Sequence, residues 1–423
     1  MVSTNEKEIR KNLRFNTIVN ILDGGFFGFA VGFSSFTAFI PIFINRLTDS
    51  AILIGLVPAL HSFGWQFPQL FTAGRTARLK KFKPAVIWLT LQERIPFIGL
   101  ALIAWFLPSL GKQNALILAF VMLAWQGLGG GLTANPWTSM ISKIIPGEFR
   151  GTFFGFQSAA MNALLSLGSV LAGYILLKVS DRYDFSLLFL ITSLMFGISM
   201  VFLAMTKEPE DTMKVITHKK EPFWKGTRTI LRQDRNFRWF LVGRILSQFT
   251  TMGFSFYVIY AINNLGMNDL TAGIFSATAT GIAILANPLM GWAGDRWGHR
   301  YLILLGTLAA AIGGFLAWYA PSLNWFYLIM ALSGIGTVAV WTIPLTLTVK
   351  FGAEIHRPVY IGLSNTLIAP AAIAAPLLGG WLADQIGYTT MFLISAIFGI
   401  ITFIIFQFFF SEPGEIVQQD IIN

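Results

Sequence analysis

The chain has 423 residues, 55% of them hydrophobic and only 12% charged, with a formal net charge of +10 and no cysteine. A soluble chain carries about 25% charged residues, and the mean hydropathy here is +0.65. A soluble globular domain is therefore excluded, and so are a disulfide framework and a thiolate metal site. In a chain of this class the basic excess belongs to cytoplasmic loops, so no nucleic-acid partner is expected.

Met1 to Thr17 mixes acids and bases and runs into an apolar stretch with no small-residue cleavage site, so a removed signal peptide is not expected. Twelve apolar spans follow, each long enough for a bilayer, at 18–45, 50–74, 84–107, 114–142, 149–178, 184–206, 237–264, 270–294, 300–320, 323–350, 357–384 and 388–410. With the N-terminus inside, 24 lysines and arginines fall in inner segments and four (Arg46, Lys112, Lys178, Arg182) in outer loops. This positive-inside pattern places both termini in the cytoplasm of a multi-pass cell-membrane protein. The one long polar connection, Lys207–Arg238, carries Pro209 and Pro222 and reads as a linker between two bundles. The expected domains are a six-helix bundle over 1–206, a cytoplasmic linker over 207–236 and a second six-helix bundle over 237–423 with a short cytoplasmic tail. The fold class is all-α, with twelve transmembrane helices in two pseudo-symmetric bundles.

An internal repeat supports this division. Gly32-Phe33-Ser34 matches Gly253-Phe254-Ser255 at an offset of 221, and Arg150, Gly155, Leu171 and Gly173 match Arg357, Gly362, Leu378 and Gly380 at 207. Asn135-Pro136 and Ile343-Pro344 are expected to break the fourth and tenth spans at near-equivalent depth.

The stretch between the eighth and ninth spans, Asn287 to Arg300, is dense in glycine and charge. Gly291, Asp295, Arg296, Gly298 and Arg300 there resemble the G-x-x-x-D-R-x-G-x-[RK] signature of the major facilitator superfamily. The first half holds a degraded version, Pro68 to Lys80, with Arg75 where Asp295 stands. The resemblance covers nearly the whole chain. It implies two six-helix halves related by duplication, with spans 1, 4, 7 and 10 around a central cavity, and a secondary transporter working by alternating access. It also implies a conformational latch: Asp295 near the start of the fifth span, at about Gly147 to Thr152, assisted by Arg150. The aspartate suits the positive end of a helix. Arg75 does not, and needs an acid such as Glu354. Drug–proton antiporters of the superfamily carry a glycine-proline motif in the fifth span. Here that place reads Leu167-Gly168-Ser169-Val170-Leu171-Ala172-Gly173, without the proline, which counts against multidrug export.

The chain contains no G-x-x-x-x-G-K-[ST], no H-E-x-x-H and no G-x-S-x-G, and its four histidines are scattered, so no enzyme, metal or cofactor is expected. Gly127 to Gly131 lies within the fourth span and reads as a place of close helix packing. The informative residues are charges at membrane depth, each of which costs at least ~2.5–3.5 kcal/mol without a partner or a wet cavity. They are Asp23, Glu93, Arg94 and Arg244, the candidates for proton or charge coupling. Asp23 and Arg244 occupy equivalent positions in the two halves, and Asp23 is expected within reach of Arg94 or Arg244. Arg244 can instead snorkel to the interface. Of Glu93 and Arg94, one reading is a titrating carboxylate held by an arginine, the other a structural ion pair. Candidates for the substrate cavity are Gln126, Asn135, Trp137, Gln157, Asn162, Gln248, Trp341 and Asn365, each of which can equally be a packed, satisfied side chain. The expected function is transport of a small-molecule substrate coupled to protons, by a monomer whose other partner is the lipid bilayer. The alternatives are an uncoupled facilitator and a non-transporting receptor or scaffold.

Overall fold

The computed structural model describes residues 4–76, 79–209, 230–351 and 357–413, and these form helices without a strand. In chain order the helices are α1 Thr4–Phe33, α2 Phe39–Leu47, α3 Ala51–Thr76, α4 Lys83–Trp105, α5 Leu107–Ile144, α6 Gly147–Lys178 and α7 Asp184–Met205. Then come α8 Arg235–Thr250, α9 Tyr257–Leu265, α10 Asp269–Trp297, α11 His299–Tyr319 and α12 Trp325–Thr337. A π-helical turn, Val338–Thr342, joins α12 to α13 Ile343–Lys350, and α14 Arg357–Ile386 and α15 Tyr388–Phe408 complete the chain.

Ten helical segments among the described residues are long and apolar enough to cross a membrane. Of the twelve expected spans, α1 and α3 fall outside that set; Asn16, Asn20 and Asp23 lower the hydropathy of α1. Large apolar side chains lie on the surface of these helices, among them Trp88, Leu194, Leu289 and Phe408. In hydrocarbon such exposure costs nothing, and the interior amides of a helix are satisfied within it.

The chain divides into two compact units. The first comprises Met1–Asp49, Leu60–Thr217 and Asn268–Ala277, and the second Ser50–Ala59, His218–Met267 and Thr278–Asn423. In the first unit α1 packs on α6 and α7, and α4 on α5 and α7. Its apolar core includes Val86, Met140, Ile144, Phe153 and Leu203. The glycine run of α5 serves close packing, as expected: a Cβ on Gly131 would overlap the carbonyl oxygen of Gly64 on α3. In the second unit α11 packs on α12 and α15, and α8 on α14 and α15. Aromatic rings dominate that core, with Phe237, Phe240, Phe351, Phe406 and Phe410 all buried.

The first and seventh spans are each broken once, between Phe33 and Phe39 and between Thr250 and Tyr257. The repeated Gly-Phe-Ser string sits at both breaks. Proline behaves differently at its two expected break points. The backbone shifts to a π turn just before Pro344, which cannot supply an amide and crowds the carbonyl four residues back. Around Pro136 there is no break: α5 runs through it, and its one non-helical residue is Gly111. Asn135 instead ties the helix sideways, donating to Gln69 O at 2.7 Å and to Thr72 Oγ1 at 2.9 Å on α3.

Candidate functional site

Three of the four intramembrane charges lie together in the first unit. Asp23 on α1, Glu93 and Arg94 on α4 are each at most 7% exposed. Arg94 Nη2 donates to Asp23 Oδ1 at 3.4 Å, and its Nη1 donates to Phe196 O of α7 at 2.9 Å. Ser199 of α7 donates to the same Asp23 oxygen at 2.5 Å. The rings of Phe27 and Phe196 lie 5.9 and 5.8 Å from the guanidinium carbon. One carboxylate, one guanidinium and one hydroxyl thus pin α1, α4 and α7 to one another. In this low-dielectric setting the pair is strong, and either member left alone would be costly.

Glu93 is placed otherwise. Helical geometry turns it about 100° from Arg94, and its Oε1 would lie 3.1 Å from a Cβ on Gly130 of α5. Among the described residues no hydrogen bond reaches its carboxylate.

Arg244 lies in the second unit, on α8, 3% exposed. It does not snorkel. Its Nη1 bonds the hydroxyl of Ser364 on α14, its guanidinium carbon stands 5.9 Å from the centre of the Phe240 ring, and its Nε has no partner. No carboxylate within this unit answers its charge among the described residues.

The neutral candidates divide between the two units. Gln126 is buried and bonds His61 Nδ1 at 3.2 Å, and that imidazole stacks on Phe36 with centroids 4.0 Å apart. Gln157 donates to Asn20 O at 3.0 Å, and Gln248 to Arg244 O at 3.5 Å. Trp137 packs edge-on against Phe154. Asn162 donates to Ser158 O of its own helix, Trp341 in the π turn is 44% exposed, and Asn365 is exposed on α14. His61 is one of the four scattered histidines, and its place inside an apolar span is the signal that marks it.

Of the expected latch, the side chains of Asp295 and Arg150, and Glu354 altogether, lie outside the described residues. Arg75 is exposed in the last turn of α3. Gly291 has open space around it, Arg296 stacks over the Trp292 ring at 4.7 Å, and Gly298 takes φ +93 as the single residue between α10 and α11. A side chain at Gly298 would be strained. Arg300 belongs to the first turn of α11 and donates to Phe406 O and Gln407 O near the end of α15, capping carbonyls that the helix leaves unpaired.

Several polar joints lie outside the sequence expectations. In the first unit Asn16 exchanges two hydrogen bonds with the backbone of Lys207, both 2.9 Å. Glu208 then accepts from the amides of Phe82 and Lys83 at 2.9 and 2.7 Å and from Lys143 Nζ at 3.1 Å. In the second unit Asn236 exchanges two bonds with Ser411, 2.7 and 2.9 Å. Glu412 accepts from the Arg300 amide at 3.1 Å and from Lys350 Nζ at 2.6 Å. Burial alone would raise the Glu412 carboxyl. The Lys350 bond, the Arg300 amide and the neighbouring Lys350 and His299 charges outweigh burial and hold it below the usual range. The available signal was a Glu-Pro dipeptide after the sixth and after the twelfth span. Arg46, counted as a loop residue, lies between Asp184 at 2.6 Å and Asp269 at 3.4 Å in the first unit. Asp384 caps α3 in the second, accepting from the amides of Ala51 at 2.6 Å and Ile52 at 2.8 Å.

Comparison with known proteins agrees with this architecture. The family profile described as Major Facilitator Superfamily matches residues 88–283 and 240–419. A protein named multidrug resistance protein MdtH from Sodalis glossinidius is 23% identical over 345 residues, 81% of this chain and 80% of its own length. The protein of that name from Shigella boydii is 22% identical, over 88% of each chain. Among solved structures, a D-xylose–proton symporter superposes with a TM-score of 0.75 at 16% identity, over 94% of this chain and 98% of its own. At that identity the likeness is one of fold.

Proposed function

We propose that this chain, which belongs to the Major Facilitator Superfamily of membrane transporters, drives a small solute across the membrane by coupling it to protons in an alternating-access cycle. The observation that carries this reading is the buried group Asp23, Arg94, Ser199 and Glu93, which places two carboxylates and one cation where hydrocarbon tolerates no idle charge. Asp23 accepts bonds from Arg94 and Ser199, whereas Glu93 accepts none among the described residues. We assign Asp23 to the ion pair that holds α1, α4 and α7, and Glu93 to the exchanging proton, with Arg94 available to either carboxylate. A proton arriving on one carboxylate frees the arginine for the other, a change of partner that gives the unit two arrangements of similar energy. Glu93 rests against the glycine run of α5, so its protonation bears directly on how α4 packs there.

The names of two of the similar proteins make export of drug-like organic compounds the first solute class to test. The absent glycine-proline motif makes that test informative. Purified protein in liposomes should be given an imposed pH gradient and a panel of dyes, drugs and metabolites. Glu93→Gln should lose gradient-driven accumulation yet keep solute exchange at equal pH, while Asp23→Asn should lose both. Wild-type accumulation by Glu93→Gln would overturn the proton assignment. Loss of both activities in both variants would show that the two carboxylates act as one site.

A further inference from the structure

The first unit holds a second polar feature that the transport cycle does not use. A cavity of about 590 Å³ opens where α4 begins and α7 ends. Both helices are long and apolar enough to span a membrane, so the cavity lies at the level of a bilayer surface. Trp88, one turn into α4 and 65% exposed, agrees with that level, because amphipathic rings collect at the interface. Lys81, Lys83 and Lys207 line the cavity, and Ile87 and Met205 form its apolar side. Two acids also reach it. Glu208 is already engaged by two amides and by Lys143, with its side chain 1% exposed, and offers no free charge. Glu8 is the other acid of the lining, which also holds the three lysines. The Lys207 ammonium lies 4.7 Å from the centre of the Phe15 ring, which steadies it at the rim. The second unit differs at the matching joint: Ser411 stands where Lys207 stands, and the Arg300 guanidinium is turned onto the carbonyls of Phe406 and Gln407.

We infer that this cavity is a binding site for the phosphate of an anionic phospholipid. The headgroup sits among Lys81, Lys83 and Lys207, and the acyl chains run along Ile87, Met205 and Trp88. A basic pocket beside apolar side chains at the end of two spans suits a lipid, which brings charge and hydrocarbon at a fixed separation. A free phosphate ion would use the lysines alone.

Native mass spectrometry of the full chain in detergent tests this. The additions are phosphatidylglycerol, phosphatidylcholine, or inorganic phosphate as competitor. Each lysine near a membrane surface contributes about a five-fold gain in binding of an anionic lipid, so Lys83→Gln with Lys207→Gln should lower phosphatidylglycerol retention about 25-fold. Lys112→Gln with Lys178→Gln, near the start of α5 and at the end of α6, should leave it unchanged, and phosphatidylcholine retention should be alike in all three proteins. Equal phosphatidylglycerol retention in wild type and the Lys83/Lys207 variant would overturn the site. Displacement of the lipid by millimolar phosphate would assign the lysines to a free anion instead. Lipid retention is read without a pH gradient or a solute, so its failure is distinct from failure of the proton step.

Discussion

The two units build one joint from the same parts and treat their intramembrane charge in opposite ways. In each, an asparagine on the first long helix clasps the backbone just after the last one, Asn16 on Lys207 and Asn236 on Ser411. A Glu-Pro follows, and its carboxylate caps the helix that opens the third span of that half while accepting from a lysine at the end of the fourth, Lys143 or Lys350. A carboxylate at a helix N-terminus meets unpaired amides and the positive end of the dipole, so duplication had reason to keep it twice. Deeper in, the copies part. The first unit pairs Arg94 with Asp23, whereas the second, among the described residues, meets Arg244 with a hydroxyl and a ring. The lesson is that symmetry is retained where it closes helix ends and abandoned where charge can do work.

The largest break in that comparison should come from the two arginines. Arg94→Ala strands a buried carboxylate, and removing one partner of such a pair costs about 3–5 kcal/mol. Arg244→Met removes a charge that meets no carboxylate within its unit among the described residues, and should cost less than about 1 kcal/mol or stabilise the protein. Unfolding of both variants in detergent micelles measures the contrast. Equal losses would mean that Arg244 has a counter-charge after all.

The caps come next. Glu208 accepts two amides and a lysine, Glu412 one amide and a lysine. Glu208→Ala should therefore destabilise by about 1–3 kcal/mol more than Glu412→Ala, since each bond to a charged group carries roughly that much. A larger loss at Glu412 would show that the Lys350 contact outweighs the amide count.

Acid should erase the second cap. The folded Glu412 carboxyl lies below its ordinary value, so its contribution is present in full above about pH 4.3, the unfolded value, and is lost as pH falls through the folded one. The gap in melting temperature between wild type and Glu412→Gln should hold near neutral pH and close below about pH 4. A gap that persists in acid would mean that the glutamate acts by packing rather than by charge.

The smallest effects should be those of the asparagine clasps. Asn16→Ala and Asn236→Ala each remove two bonds to backbone, and each should lose about 1–2 kcal/mol, equal within about half a kilocalorie. Unequal losses would mark the joint as symmetric in geometry but not in strength.

Much of the fold was open to reading from local composition. An apolar run long enough for a bilayer has to become a helix there, because hydrocarbon offers its amides no other partner, and α4 to α7 declare themselves that way. The same logic singled out Asp23, Glu93, Arg94 and Arg244, since a charge inside such a run stands out against its neighbours. Partner choice was not local. Glu93 and Arg94 are adjacent in the chain and diverge in space, and only the packing of α1, α4 and α7 decided that Arg94 meets Asp23 while Glu93 meets Gly130. Pro136 and Pro344 look alike in sequence, but side-chain ties from Asn135 to α3 accompany an unbroken helix at one, while the backbone at the other changes register. The clasps and caps join residues far apart in the chain, and a Glu-Pro dipeptide acquires meaning only when a helix N-terminus is brought to it.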